Sequence, residues 1–153
     1  MTPAQRIATG VGVGAVALAA PLIVHFEGTV RTSYRDVGVG VITACTGHTG
    51  PDVKLGQVYT DAQCRDLLGA DLAKHQAGLA KCMPPDAPAH VRAAFLSFAF
   101  NVGVGAACAS TAMRRLRAGD QMGACANLSR WTYAGGKELP GLVRRRAAER
   151  CAR

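Results

Sequence analysis

Glu27, Asp36 and Thr43 are the residues of this chain whose types and spacing best suit chemistry. They lie in residues 25–50, HFEGTVRTSYRDVGVGVITACTGHTG. Cleaving a glycosidic bond takes two carboxyl groups in unlike states. One is protonated and donates to the leaving oxygen; the other is ionised and activates water or attacks. Glu27 stands beside Phe26 at the end of a short apolar helix, and Asp36 follows nine residues on, ahead of a glycine-alternating stretch. An apolar setting favours a protonated carboxyl. An arginine from the C-terminal end would favour the ionised form while fixing its orientation.

The elements that must hold these residues are read from pattern. Residues 37–45 alternate Gly38 and Gly40 with valines and read as a small hairpin. Residues 48–52, HTGPD, have loop chemistry. Thr60 and Gln63 form a capping-box pattern for a helix with the apolar face Cys64, Leu68, Leu72, His75, Leu79, Cys82. On that face His75 reads as a core or groove residue rather than a ligand. Pro84, Pro85 and Pro88 mark a corner, and residues 91–102, VRAAFLSFAFNV, read as a central buried helix stopped by Gly103 and Gly105. Further helices begin at Ser110 or Thr111 and at Asp120. Residues 132–141, TYAGGKELPG, read as a loop, with Pro140 in the first turn of a last helix. That helix carries Arg144, Arg145, Arg146 and Arg150. They form either a solvated face with an Arg145–Glu149 pair or a source of a substrate-facing arginine.

Composition bounds the function. At 153 residues, 49% hydrophobic and 18% charged, the chain buries a real core and is no disordered tail. A net charge of +8 suits an anionic partner. With one Trp, three Tyr and four Phe, and no zinc-finger spacing, nucleic acid is the weaker choice. No metal site or cofactor motif is read, and GVGVG is too short for a phosphate loop. The six cysteines, at 45, 64, 82, 108, 125 and 151, include no C-x-x-C pair. They point to as many as three disulfides and an oxidising compartment, against buried free thiols in a cytosolic enzyme. In a continuous helix Cys64 and Cys82 would lie about 27 Å apart, too far to bond to each other.

Residues 7–24, IATGVGVGAVALAAPLIV, hold no charge over 18 positions, near the shortest helix able to span about 30 Å of hydrocarbon. Three glycines and five alanines make that apolarity weak. A cleaved signal peptide, a permanent anchor, a weak anchor that later joins the soluble fold, and an apolar core helix all remain open. If membrane held this segment, Glu27 would be pinned at the interface, and a tethered form should be inactive.

Taken together, FEG with Glu27, YRD with Asp36, Thr43, GHTG at 47–50, SFAFNVG at 97–103, RLRAGD at 115–120, LSRWTYAGG at 128–136 and GLVRRRAAER at 141–150 resemble phage-type lysozymes, glycoside hydrolase family 24. The weak N-terminal segment further resembles the signal-anchor-release endolysins, which are exported and held in the inner membrane until released. The resemblance implies an α+β, mainly α-helical, two-lobed fold with a small β-hairpin in the N-terminal lobe. It divides the chain into a signal-anchor segment at residues 1–24 and a lysozyme-like domain at 25–153. It implies a monomer, without cofactor or metal, that acts in the host periplasm after tethering through residues 7–24. The implied reaction hydrolyses the β-1,4 bond between N-acetylmuramic acid and N-acetylglucosamine. Glu27 matches the general acid, Asp36 the second carboxylate and Thr43 the hydroxyl that positions water. His48, Phe100 and Asn101 match sugar-facing positions. The family's usual inverting course calls for carboxyls roughly 6.5–9.5 Å apart.

One departure bears on Thr43. The family usually has five residues between the aspartate and the threonine, and this chain has six. The extra residue must bulge, since a one-residue slip would turn Thr43 to the other face. Two other functions compete: a lytic transglycosylase that uses Glu27 alone, and a cationic membrane permeabiliser without enzymatic activity.

Overall fold

The computed structural model describes the backbone of residues 3–151 and the side chains of residues 14–151. The side chains of residues 7–13, part of the expected anchor, and residues 152–153 of the expected catalytic domain lie outside that description. The first element, α1 (Pro3–Glu27), is longer than the short helix expected and contains Pro21. It ends because Gly28 adopts φ 70° and returns its N–H to the Val24 carbonyl at 2.9 Å, a left-handed cap that suits glycine. Glu27 is therefore the last helical residue. Ala15, Ala19 and Ile23 recur every fourth position on one face of α1, and all three are buried. That face packs along α3 (Ala89–Val102), where a Cβ on Gly14 would meet the Ala89 Cβ at 3.5 Å. No helix among the described residues is long and apolar enough to cross a membrane.

A three-stranded antiparallel sheet follows: β1 (Val30–Arg35), β2 (Ile42–Cys45) and β3 (His48–Thr49). The expected hairpin is thus displaced. Its first strand is residues 30–35, and the glycine–valine run forms the connecting loop. Gly40 N–H closes that loop onto the Asp36 carbonyl at 2.7 Å, and Asp36 N–H onto Val41 at 2.9 Å. The irregular pairing lies in β1 between Val30 and Tyr34. Thr43 keeps regular partners, Tyr34 on one side and Thr49 on the other.

The helix α2 (Asp61–Leu79) starts with the expected capping box of Thr60 and Gln63. It serves two cores. Cys64 belongs to a small cluster under the sheet with Ala44, Cys45, Val53 and Tyr59. Leu68, Leu72 and Leu79 belong to the larger one, with Ile23, Phe95, Phe98, Met113 and Leu128. Two apolar clusters joined by one helix are the physical basis of the two lobes.

The larger lobe is completed by α4 (Val104–Ala109), α5 (Thr111–Arg117), α6 (Gln121–Asn127), a 3-10 turn at Leu128–Arg130 and α7 (Pro140–Ala148). Gly103 ends α3 with φ 94°, but Gly105 stops nothing and sits inside α4. The expected loop at 132–141 holds a two-residue hairpin, β4 (Tyr133–Ala134) with β5 (Lys137–Glu138), around Gly135 and Gly136 at φ 59° and 77°. Positive φ at both turn residues is what so tight a hairpin demands. All six cysteines are paired: Cys45–Cys64 ties β2 to α2, Cys82–Cys108 ties the end of the α2 segment to α4, and Cys125–Cys151 ties α6 to the end of α7.

Candidate active site

Glu27 ends α1 at the edge of a cavity of ≈ 540 Å³ that is also lined by His25, Phe26, Asn101, Leu142, Arg144 and Arg145. Its side chain is 27% exposed. A helix C-terminus is a poor place for a carboxylate, because the unpaired carbonyls carry partial negative charge. Arg145 of α7 compensates. Its Nη1 donates to Glu27 Oε1, and its guanidinium lies 5.7 Å from the centre of the Phe26 ring. Glu27 Oε2 is left on the open side, where a Cβ placed on Gly47 would lie 3.9 Å from it and 3.7 Å from Phe100 Cε1. There is room for that carbon. The φ of 71° at Gly47, in the turn between β2 and β3, is what calls for glycine.

Behind Arg145 the charges continue inward. Its Nη2 donates to the Ser97 carbonyl at 3.1 Å and its Nε to Glu149 Oε1 at 3.0 Å. Ser97 Oγ donates to the same Oε1 at 2.6 Å. Arg146 Nε lies 3.1 Å from Glu149 Oε2 without the alignment of a hydrogen bond. The Arg146 guanidinium sits 5.0 Å from the centre of the Phe98 ring and donates through Nη2 to Asn101 Oδ1 at 2.5 Å. Burial pushes the Glu149 carboxyl above its ordinary range, with Arg146, Ser97 and Arg145 pulling the other way. Burial also lowers Arg146 from the usual guanidinium value.

Asp36 is placed quite differently. It follows the end of β1, half-buried, and its Oδ1 accepts from the N–H groups of Gly38 at 2.8 Å and Val39 at 3.2 Å. Among the described residues no hydrogen bond or ion pair joins it to Glu27. Thr43 is 7% exposed, and its hydroxyl has only a long contact, 3.4 Å, to the Val41 carbonyl. His48 is buried with both ring nitrogens taken, Nδ1 by Asp71 at 2.8 Å and Nε2 by Asp52 at 3.0 Å. It ties β3 to α2 and leaves no ring nitrogen free for a sugar. Phe100 stacks against His75, ring centres 5.1 Å apart, and the His75 Nδ1 is held by the Asp71 carbonyl at 2.7 Å. No cluster of three or more metal-ligating side chains occurs among the described residues.

The phage lysozyme family model matches residues 24–149, the span that runs from the helix end before Glu27 to Glu149. The chain belongs to the phage lysozyme family. This lysozyme is 43% identical over 158 residues to the SAR-endolysin of Enterobacteria phage PA-2, covering 98% of this chain and 95% of that one. It is 37% identical to the SAR-endolysin of Escherichia phage Mu, over 83% of this chain and 73% of the relative. Its fold matches the active form of P1 phage endolysin Lyz with a TM-score of 0.80 at 25% identity, covering 97% of this chain and 90% of that one. The muramidase domain of SpmX from Asticaccaulis excentricus gives 0.79 at 27% identity, covering 86% and 91%. The lysozyme is thus an enzyme that degrades peptidoglycan, with the mainly helical α+β fold of its family.

Within this lysozyme the structure brings Glu27, Phe100 and Asn101 to one cleft edge, while both His48 ring nitrogens are taken by Asp71 and Asp52. Half of the arginine run leaves the solvated face: Arg145 and Arg146 are 4% and 1% exposed, while Arg144 and Arg150 stay outside. Ser97 and Glu149 had no functional reading in the sequence. Their signal was present as Arg145 and Arg146 at i−4 and i−3 from Glu149, a spacing that serves a buried pair as well as a surface one.

Proposed function

We propose that this lysozyme hydrolyses the β-1,4 bond between N-acetylmuramic acid and N-acetylglucosamine, with Glu27 as general acid, Asp36 as second carboxylate and Thr43 as the hydroxyl that orients water. The observation that carries this is the asymmetry of Glu27: Oε1 is held by buried Arg145, and Oε2 is open on the cleft side beside Gly47 and Phe100. A general acid needs one oxygen fixed and the other free to present a proton to the leaving oxygen. Asp36 Oδ1 is held by two amides, so Oδ2 is the oxygen available to water. With an inverting course, water attacks on the face opposite the acid. Phe100 and Asn101 face the sugars. His48 acts by anchoring β3 rather than by touching substrate. Exposed Arg144 in the same cavity suits an anionic polymer. The enzyme works as a monomer without cofactor, metal or nucleic acid.

The SAR-endolysin relatives support export and membrane anchoring, and we read residues 7–24 as the segment that anchors, ahead of a catalytic domain at 25–153. In the folded enzyme Ala19 and Ile23 are buried. The same residues cannot lie in lipid and in the core at once. A membrane-embedded form that proves fully active would sink this reading.

The reaction is tested with purified wild type, Glu27→Gln and Asp36→Asn on isolated peptidoglycan, with mass analysis of the released ends. Wild type should give reducing muramic acid ends, Glu27→Gln should be silent, and Asp36→Asn should fall about 10²- to 10⁴-fold. Anhydro ends with an active Asp36→Asn would instead identify a transglycosylase. Lysis of cells by Glu27→Gln would identify a permeabiliser.

A further inference from the structure

The charged cluster behind Glu27 is larger than one ion pair requires. Glu149 is 1% exposed and touches nothing in the cleft. Its Oε1 is shared by Ser97 Oγ at 2.6 Å and Arg145 Nε at 3.0 Å, and Arg145 returns Nη2 to the Ser97 carbonyl at 3.1 Å. Ser97, Glu149 and Arg145 thus close a ring between α3 and α7. A guanidinium is a planar fork, so fixing two of its nitrogens fixes the third. That third nitrogen, Nη1, is the one bonded to Glu27.

We propose that Glu149, together with Ser97, is a positioning residue of the reaction: it sets the Arg145 fork, and through it the oxygen that Glu27 presents to the glycosidic bond. The proposal rests on the reading of Glu27 as general acid. Arg145 and Arg146 are adjacent buried cations, and both lie within ion-pair distance of Glu149. The charged and titratable groups around this assembly are Arg145 and Arg146 on α7 and Glu27 on α1. His25 and Arg144 line the cleft cavity, and His90 lines a smaller cavity that Glu149 also borders.

The test compares full-length wild type, Glu149→Gln, Arg145→Lys, the double variant and Glu27→Gln on soluble peptidoglycan chains. It records kcat, KM and thermal melting. Glu149→Gln is expected to lower kcat about 10- to 100-fold, as small misplacements of reacting groups do, with KM within about twofold. Arg145→Lys keeps the charge and loses the fork, and adding Glu149→Gln to it should cost at most about twofold more, since residues acting in series do not add. An unchanged kcat in folded Glu149→Gln overturns the proposal, as does full additivity in the double variant. If Glu149→Gln does not fold, Ser97→Ala replaces it in the same cycle. That change keeps every charge, and a fall in kcat of about 3- to 10-fold with KM within about twofold is expected from the lost hydrogen bond. Unchanged kcat there overturns the proposal equally. Glu27→Gln separates the two levels: residual activity in it overturns the general-acid reading itself, whereas a silent Glu27→Gln beside an unaffected Glu149→Gln removes only the role of Glu149.

Discussion

Glu27 and Asp36 are nine positions apart in the chain and are held by opposite means. Glu27 takes its bearings from Arg145, and Arg145 from Ser97 and Glu149, all buried and far away in sequence. Asp36 takes its bearings from the amides two and three residues ahead, in a loop where Val37 and Val39 are 104% and 74% exposed. One carboxyl is positioned by the fold and the other by its own turn. A group that must hold and release a proton at a set point gains from a distant, rigid support. A group that must accept water gains from exposure.

The largest effects should separate these supports. Arg145→Ala leaves the Glu149 carboxylate buried with Arg146 in poor alignment, and removing one partner of a buried pair costs about 3–5 kcal/mol. Chemical denaturation should show that loss, together with a collapse of activity. Asp36→Asn should leave stability within about 0.5 kcal/mol, as is usual for surface changes, while activity falls about 10²- to 10⁴-fold. Comparable stability losses in both variants would mean that Asp36, too, is held by the fold.

Part of Glu27's setting was legible in the sequence, as an apolar helix end with an arginine from the C-terminal end, and Asp36's was misplaced, because the glycine–valine run reads as a strand and is the loop that orients it. The capping box at Thr60 is local, so residue types disclose it. The burial of Arg145 and Arg146 is not local. A run of three arginines reads equally as a solvated face or as the source of a cleft arginine until α3 brings Ser97 against Glu149. Strand β1 was missed for a related reason: in VRTSYR only Ser33 is buried, so there is little apolar alternation to read. Its place in the sheet comes from pairing with β2. The disulfides fall between these cases. Helix length alone separated Cys64 from Cys82, while the partners Cys45 and Cys108 follow from the tertiary fold.

The next effects in size come from cross-links on the two sides. Replacing Cys125 and Cys151 by Ser opens a 26-residue loop and frees the end of α7 next to Glu149. Replacing Cys45 and Cys64 frees β2 from α2 on the Asp36 and Thr43 side. Each should cost about 2–4 kcal/mol in thermal or chemical unfolding. With fold retained at low temperature, the Cys125/Cys151 variant should lose the larger share of kcat, because Arg145 and Glu149 ride on α7. An equal loss from both would blur the contrast between the carboxyls.

A pH effect of smaller size belongs to the sheet side. Burial disfavours a charged His48, but hydrogen bonds and charge from Asp71 and Asp52 outweigh it and raise its pKa above 6.5. The same hydrogen bond from His48 lowers Asp52 below 3.8. A raised histidine stabilises fully below its unfolded value near 6.5 and loses that contribution as pH rises through the folded value. A lowered aspartate stabilises above its unfolded value and loses the contribution as pH falls through the folded one. The clamp is therefore strongest between about pH 4 and pH 6.5. Asp71→Asn should cost about 1.5–3 kcal/mol in that window, the range for a hydrogen bond to a charged group, and markedly less at pH 9. Unfolding curves at pH 5.5 and pH 9 check it; an equal cost at both would mean that His48 is neutral in the folded state.

The smallest effect sharpens the comparison most. Val39 sits in the loop that orients Asp36, and the contact it supplies is its backbone N–H, 3.2 Å from Oδ1. Its side chain is 74% exposed. If Asp36 is held only by its own turn, Val39→Ser removes nothing, because serine keeps the amide. Stability should stay within about 0.5 kcal/mol, and kcat and KM within about twofold. Serine in turns also bonds readily to nearby backbone, which would favour the loop if it changed it at all. A loss of activity well beyond twofold at unchanged stability would mean that the exposed valines meet the polymer as it binds. Asp36 would then be positioned by substrate as much as by its turn, and the division between a fold-held acid and a loop-held base would have to be redrawn around the loaded cleft.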